Sequence, residues 1–327
     1  EVFLAQPRID EVTLLVDSDG DGTADQIVPF ATGFDTPHGL ALHGGYLYIA
    51  DLRGIWRVPF SAGQRRAVLP PEPVTPPGAF GAPGGHWTRN IVFSRDGKFI
   101  YAAIGSASNI GEEAAPRATV MRFNADGSGG EVFASGLRNP VGIALHPVSG
   151  ALYVVVNERD GLGDGLVPDY LTRVRKGEFY GWPHAYIGPN PMPGFAARRP
   201  DLVRKSLAPD VLFQSHSAPI GMVFANSKQF PPEWRDDALV AFRGSWNSAQ
   251  PTGYKIVRVP FEGGRPSGGY ENFVTGFWVD TATGWSGGKT AQVIGRPAGL
   301  ALWNDGSLLI ADDTANIVWR VKKRGFR

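Results

Sequence analysis

The chain has 327 residues, with Gly 43, Pro 27, hydrophobic residues at 43%, charged residues at 19% and a formal net charge of +1. That much apolar surface excludes a disordered chain, and the Gly and Pro content excludes a coiled coil or helical bundle. The near-zero charge gives no electrostatic case for nucleic acid or an anionic membrane, and Cys 0 excludes thiol catalysis, Cys-ligated metal and disulfides.

Taken in chain order, Val2 to Ala5 and Val12 to Val16 read as strands of a partial first unit. Asp17-Ser18-Asp19-Gly20-Asp21-Gly22-Thr23-Ala24-Asp25 follows. Its spacing is that of an EF-hand loop through position nine, with Asp17, Asp19, Asp21, Thr23 and Asp25 as oxygen ligands for calcium. Position twelve is Val28 rather than Glu, and strands flank the loop, so a calcium-stapled hairpin is expected. The alternative is an Asp/Gly-rich turn.

A phrase then recurs: a Pro- or Thr-containing turn, a small-apolar run, a Gly turn, an aromatic strand, a polar loop, and an apolar strand ending in Arg. Pro37-His38-Gly39-Leu40-Ala41 leads to Tyr46 to Ala50 and Gly54-Ile55-Trp56-Arg57-Val58. Thr88 to Phe93 leads to Phe99 to Ile104 and Val120 to Phe123. Pro140-Val141-Gly142-Ile143-Ala144 leads to Leu152 to Val156 and Leu171 to Val174. Pro219-Ile220-Gly221-Met222-Val223 leads to Ala238 to Phe242 and Lys255 to Val259. Pro297-Ala298-Gly299-Leu300-Ala301 leads to Leu308 to Ala311 and Ile317 to Val321. Repeated small antiparallel sheets punctuated by Gly, Pro and Asp describe an all-β fold, a six-bladed β-propeller of four-stranded blades in one domain over residues 1–327. The insert from Gly188 to Asp210, rich in Pro and Arg, is expected to form a rim or lid segment. No apolar run reaches the roughly 18 residues of a membrane span. Glu1 rather than Met suggests numbering after a removed leader, hence a periplasmic or secreted protein.

Three phrases carry a family resemblance: His86-Trp87-Thr88-Arg89-Asn90, Gly136-Leu137-Arg138-Asn139-Pro140-Val141-Gly142 and Gly177-Glu178-Phe179-Tyr180-Gly181-Trp182-Pro183. In this order they resemble the glucose/sorbosone dehydrogenase family of soluble quinoproteins. Asn157-Glu158-Arg159-Asp160, Pro168 to Thr172, Gly244-Ser245-Trp246-Asn247 and Gly295-Arg296-Pro297 resemble its sorbosone dehydrogenase-like branch. The resemblance implies pyrroloquinoline quinone (PQQ) held with calcium, and oxidation of a sugar or related alcohol or aldehyde. It also implies an external electron acceptor such as a cytochrome, in a monomer or homodimer.

His86 then matches the general base, since a neutral imidazole suits proton removal near pH 7. Arg89, Arg138, Asn139, Arg243 and Arg296 are the candidate cofactor ligands, because a flat tricarboxylate calls for guanidinium forks and amide donors. Arg89, Arg138 and Arg296 open strands in three blades, and three arginines on one axis call for an anion between them. The carbonyls of Arg159 and Asp160 match the loop that holds the cofactor's calcium. Asp164, Asp169 and Tyr180 are candidates for a second, structural calcium, with a capping carboxylate as the alternative for Asp169. The sequence departs from the family where an acid precedes the base, since Gly85 stands there, and where a lysine is expected, since Arg243 stands near it. Lys289 is another possible substitute for that lysine, and Ile294 stands where a second arginine is usual. His38 and His216 adjoin turn residues of the mouth, whereas His43, His146 and His184 read as surface or turn residues. Trp87, Trp182 and Trp246 offer flat faces for stacking or for packing between blades.

Two other functions fit such a scaffold. A calcium-dependent lactonase needs Glu, Asn and Asp from several blades around one metal, where this sequence has Arg and His. A non-enzymatic propeller would bind a protein partner through its rim.

Overall fold

The structure is a computed structural model that describes residues 1–285 and 289–324, the side chains of residues 280–291 excepted. Short strands dominate, and the α-helix Pro200–Lys205 has six residues. Six sheets of three or more strands follow one another along the chain, the order of a six-bladed β-propeller; they are antiparallel except where Glu178–Phe179 joins Glu131–Ser135 in parallel. Three are built from Val2–Gln6, Glu11–Val16 and Gln26–Thr32; from Gly39–His43, Tyr46–Ala50, Ile55–Pro59 and Glu72–Pro73; and around Arg89–Phe93, Phe99–Ile104 and Thr119–Asn124. The others are built from Asn139–Leu145, Leu152–Asn157, Tyr170–Val174 and Val211–Leu212; from Pro219–Phe224, Ala238–Phe242, Lys255–Val259 and Glu271–Val274; and from Pro297–Leu302, Leu308–Asp312 and Ile317–Val321. The first and last sheets therefore have three strands where four are expected, among the described residues. The insert after Gly188 holds a short ribbon strand, Asn190–Pro191, and the six-residue helix.

The chain divides into two compact units, Glu1–Ser108 with Glu112–Phe133, and Asn109–Gly111 with Ala134–Arg327. In the first unit, one core packs Val12, Leu14 and Phe30 against Leu47 and Ile49, and another packs Ala50 and Ile55 against Ile91, Ile100 and Ile104. In the second, Tyr153, Val155 and Leu171 meet Met222, Val240 and Phe242, while Leu239 and Ala241 meet Leu308 and Ile310. A middle strand thus sends alternate side chains into two cores, so Leu152 to Val156 reads as a continuous apolar run rather than an alternating one. Each such side chain contributes about 1.5–3 kcal/mol by leaving water.

The glycine that recurs in the opening strands has a packing reason. A Cβ at Gly39 would lie 2.7 Å from the Asn90 Cα, one at Gly142 would lie 3.0 Å from the Met222 Cβ, and one at Gly221 would lie 2.0 Å from the Ala298 carbonyl oxygen. Each contact is with the opening strand of the next sheet. Glycine lets these strands approach where the blades are narrowest.

Candidate functional site

In the first unit, His86 stands at the end of a glycine turn, just before the strand Arg89–Phe93. Its Nδ1 lies 2.9 Å from the Ser106 carbonyl oxygen and 3.0 Å from Ser106 Oγ. Ser106 Oγ itself donates to the Ser108 carbonyl at 2.6 Å, so both groups facing Nδ1 are acceptors. A hydrogen on Nδ1, with the lone pair on Nε2, is the tautomer that satisfies these two acceptors. The Ala107 and Ser108 amides are in turn held by the Glu113 carboxylate at 2.6 and 2.8 Å.

Gly85 has φ +64°, and a Cβ there would lie 2.2 Å from the Ala107 carbonyl oxygen. An acidic side chain at position 85 therefore has no room in this loop, and Ser106 is what faces Nδ1 of His86.

Arg89 is 0% exposed. Its Nη1 donates to the carbonyls of His86 and Thr88, both at 2.8 Å, while Nε and Nη2 have no partner among the described residues. Burial first, and then the nearby Arg117 charge, lower its pKa to about 9. His38 places Nδ1 3.3 Å from the Arg89 carbonyl and meets the Trp87 indole edge-on at 5.6 Å. Burial, opposed by that hydrogen bond, holds His38 down at about 4, so its imidazole is neutral at working pH. Trp87 is 44% exposed.

The second unit centres on Arg138. Its Nε donates to the Asn109 carbonyl at 3.0 Å, its Nη1 to the carbonyls of Asn157 and Glu158 at 3.1 and 2.7 Å, and its Nη2 to Asn109 Oδ1 at 2.9 Å. Asp160 is a second hub: its carboxylate accepts from Asn247 at 2.8 Å and lies 3.3 Å from His216 Nδ1. The Asp160 carbonyl accepts from Asn109 at 3.1 Å and from Arg159 Nε at 3.2 Å. Asp169 receives the Glu158 and Ala218 amides at 2.8 and 2.9 Å, the capping role rather than an open ligand. Burial raises Glu158 and Asp169 each to about 7. The Tyr180 hydroxyl bonds the Arg173 carbonyl and Glu178. Arg296 donates to the carbonyls of Gly244 and Ser245 at 3.0 and 3.3 Å and lies over the Tyr254 ring. Arg243 spends its Nε on Asp313 at 2.6 Å. Asn139 is buried with its Oδ1 unpartnered.

Several expectations change. Arg89, Arg138 and Arg296 each donate to carbonyls of their own unit. Trp182 is buried with its Nε1 on the Asn109 carbonyl, a packing role, whereas Trp246 is 71% exposed. His146 and His184 are turn residues, as read, but their side chains are buried. Among the described residues the one group of three acidic or histidine side chains close enough for a metal is Asp17, Asp19 and Asp21, whose ligand atoms lie within 4.8 Å of one another. Asp25 instead caps the Ser18 amide at 2.6 Å, and Asp21 the Thr23 amide at 2.6 Å. The side chain of Lys289 lies outside the described residues. Ser106, Glu113, Arg117 and Asn109 were not expected, since none sits in a motif and each acts through backbone carbonyls or amides that the sequence does not mark. No helix among the described residues is long and apolar enough to cross a membrane.

The fold that these sheets define is shared with solved β-propellers. The PQQ domain of pyranose dehydrogenase from Coprinopsis cinerea, in its holo form, superposes with a TM-score of 0.75 at 20% identity, covering 95% of this chain and 87% of that one. The calcium structure of a Trichoderma reesei enzyme of carbohydrate-active family AA12 gives 0.76 at 17% identity, with 96% and 87% covered. The Glucose / Sorbosone dehydrogenase profile matches residues 79–245, and a TrAA12-like profile matches residues 202–324. The chain belongs to the glucose/sorbosone dehydrogenase family. An uncharacterized protein of Borreliella burgdorferi is 30% identical over 70% of this chain and 58% of its own length. The chain spans less than two thirds of the length of the curated relatives it matches.

Proposed function

We propose that this chain oxidises a hydroxyl or hydrated aldehyde carbon of a sugar, in the sorbosone-like manner its motifs resemble, with PQQ and calcium. The observation that carries the reading is that His86 Nδ1 faces the Ser106 carbonyl, an arrangement that with hydrogen on Nδ1 puts the basic lone pair on Nε2. When bound, the quinone would supply the two-electron acceptor for hydride, later reoxidised by an external acceptor such as a cytochrome.

Within the second unit the donors fit an anionic, flat cofactor in kind. Arg243 is fixed through Nε alone, Asn139 carries an unpartnered amide oxygen, and exposed Trp246 offers an indole face. Arg296, steadied on two carbonyls, adds positive charge, and Arg89 orients the loop of His86 through its carbonyl. Arg138 shapes the Asn157 to Asp160 loop instead of spending its donors on a ligand.

Calcium fits that loop less well. The carbonyls of Asn157, Glu158 and Asp160 already accept N–H groups, and the Arg138 guanidinium lies 3.6 Å from the Asp160 carboxylate. Only the Arg159 carbonyl accepts none among the described residues, so we derive no step through this ion. The loop from Asp17 to Asp25 is the better calcium candidate, with a structural role.

The test is a titration of EDTA-treated protein with PQQ and calcium, read by quinone absorbance and its bleaching by aldoses, sorbosone and simple alcohols. The expected result is micromolar or tighter binding with bleaching by one substrate class, lost in His86→Ala. No binding, or a His86→Ala variant that bleaches at the wild-type rate, overturns the reading.

A further inference from the structure

We infer that Arg117 is a positioning residue for the base: it fixes His86 with Nε2 unprotonated by tying together the carbonyls of Gly84 and Ser106. This inference rests on the role proposed above for His86. The Arg117 Nη2 donates to the Gly84 carbonyl and, at 2.9 Å, to the Ser106 carbonyl. The same Ser106 carbonyl faces His86 Nδ1 and accepts the His86 amide at 3.0 Å. One nitrogen of Arg117 thus holds both sides of the loop that carries the base.

The arrangement is not explained by stability. Arg117 is buried, its Nε and Nη1 have no partner among the described residues, the Arg89 charge is close enough to be felt, and burial outweighs the attraction of the Glu113 carboxylate. A buried guanidinium in that state costs stability, and an apolar side chain of similar volume is often neutral or stabilising in its place. What only a donor can supply here is the bridge between the two carbonyls. That bridge matters because Gly85 leaves no space for a neighbouring acid to hold Nδ1. A neutral imidazole without such a partner exchanges between two tautomers, and one of them has its proton on the nitrogen that must act as base.

The test compares wild type with Arg117→Met and Arg117→Lys. Side-chain 15N spectra of the cofactor-free protein report the neutral tautomer, with the His86 signals assigned by their loss in His86→Ala. Wild type should show hydrogen on Nδ1. Arg117→Met should show a mixture, with kcat lowered about tenfold, KM within about twofold, and a Tm equal to or above wild type. Arg117→Lys, which keeps one donor, should recover most of kcat and the single tautomer. A wild-type tautomer with hydrogen on Nε2 overturns the inference, as does an Arg117→Met variant with unchanged tautomer and kcat. Should Arg117→Met not fold, the wild-type spectrum and Arg117→Lys decide it. Should wild type oxidise no sugar, the function proposed above fails, while the spectra still decide whether Arg117 sets the tautomer.

Discussion

The guanidinium of Arg138 lies 2.7 Å from the carbonyl oxygen of Glu158, inside the loop where the family resemblance places calcium. With its bonds to Asn157 and Asn109, this makes Arg138 the brace of that loop. Arg138→Met should therefore destabilise the cofactor-free protein by about 3 kcal/mol in chemical denaturation, since a buried charge network loses its cation. A residue that only touches cofactor would leave cofactor-free stability unchanged, so an unaltered denaturation midpoint would refute the brace.

Restoring the family's acid should not restore a better base. Gly85→Asp forces a Cβ against the Ala107 backbone at positive φ. The expected cost is about 1–3 kcal/mol of stability, with activity lowered rather than raised. A Gly85→Asp variant with wild-type melting and higher kcat would show that the loop adapts at little cost.

The two buried carboxylates give a pH dependence of definite sign. Burial raises Glu158 and Asp169 to about 7 from ordinary values of 4.5 and 3.8. Between about pH 4 and 7 the folded protein keeps protons that the unfolded chain releases. Their contribution to stability is thus fully present at the acid end of that window and is lost as pH rises through 7. Glu158→Gln removes one of these groups, so stability lost between pH 5.5 and 8 should be smaller than in wild type. Parallel curves for the two proteins would mean that Glu158 does not titrate in this range.

The Asp17 to Asp25 loop should bind calcium without touching catalysis. Calcium should raise the Tm of wild type, by about 2.7 kcal/mol of stability at a hundredfold excess over Kd. Asp19→Asn with Asp21→Asn should abolish that rise, because their carboxylates are exposed and brace only short backbone turns. A calcium response unchanged in the double variant would move the ion elsewhere.

Repeats such as Pro-Val-Gly-Ile-Ala and Pro-Ile-Gly-Met-Val were enough to predict six sheets and most of their strands, because apolar runs and turn residues are local properties. The edges of Tyr46–Ala50, Phe99–Ile104 and Ala238–Phe242 follow directly from them. The phrase around His86 was likewise enough to mark the candidate base. What Nδ1 of His86 faces, where the bonds of Arg138 go, and why Gly85 must be glycine are not local. Each depends on a carbonyl or amide brought from a distant part of the chain: Ser106 and Ala107 for His86 and Gly85, Asn109 and Glu158 for Arg138. A side-chain type announces that a donor or an acceptor exists, but backbone oxygens carry no letter in the sequence. Only the packed sheets decide which of them a guanidinium or an imidazole meets.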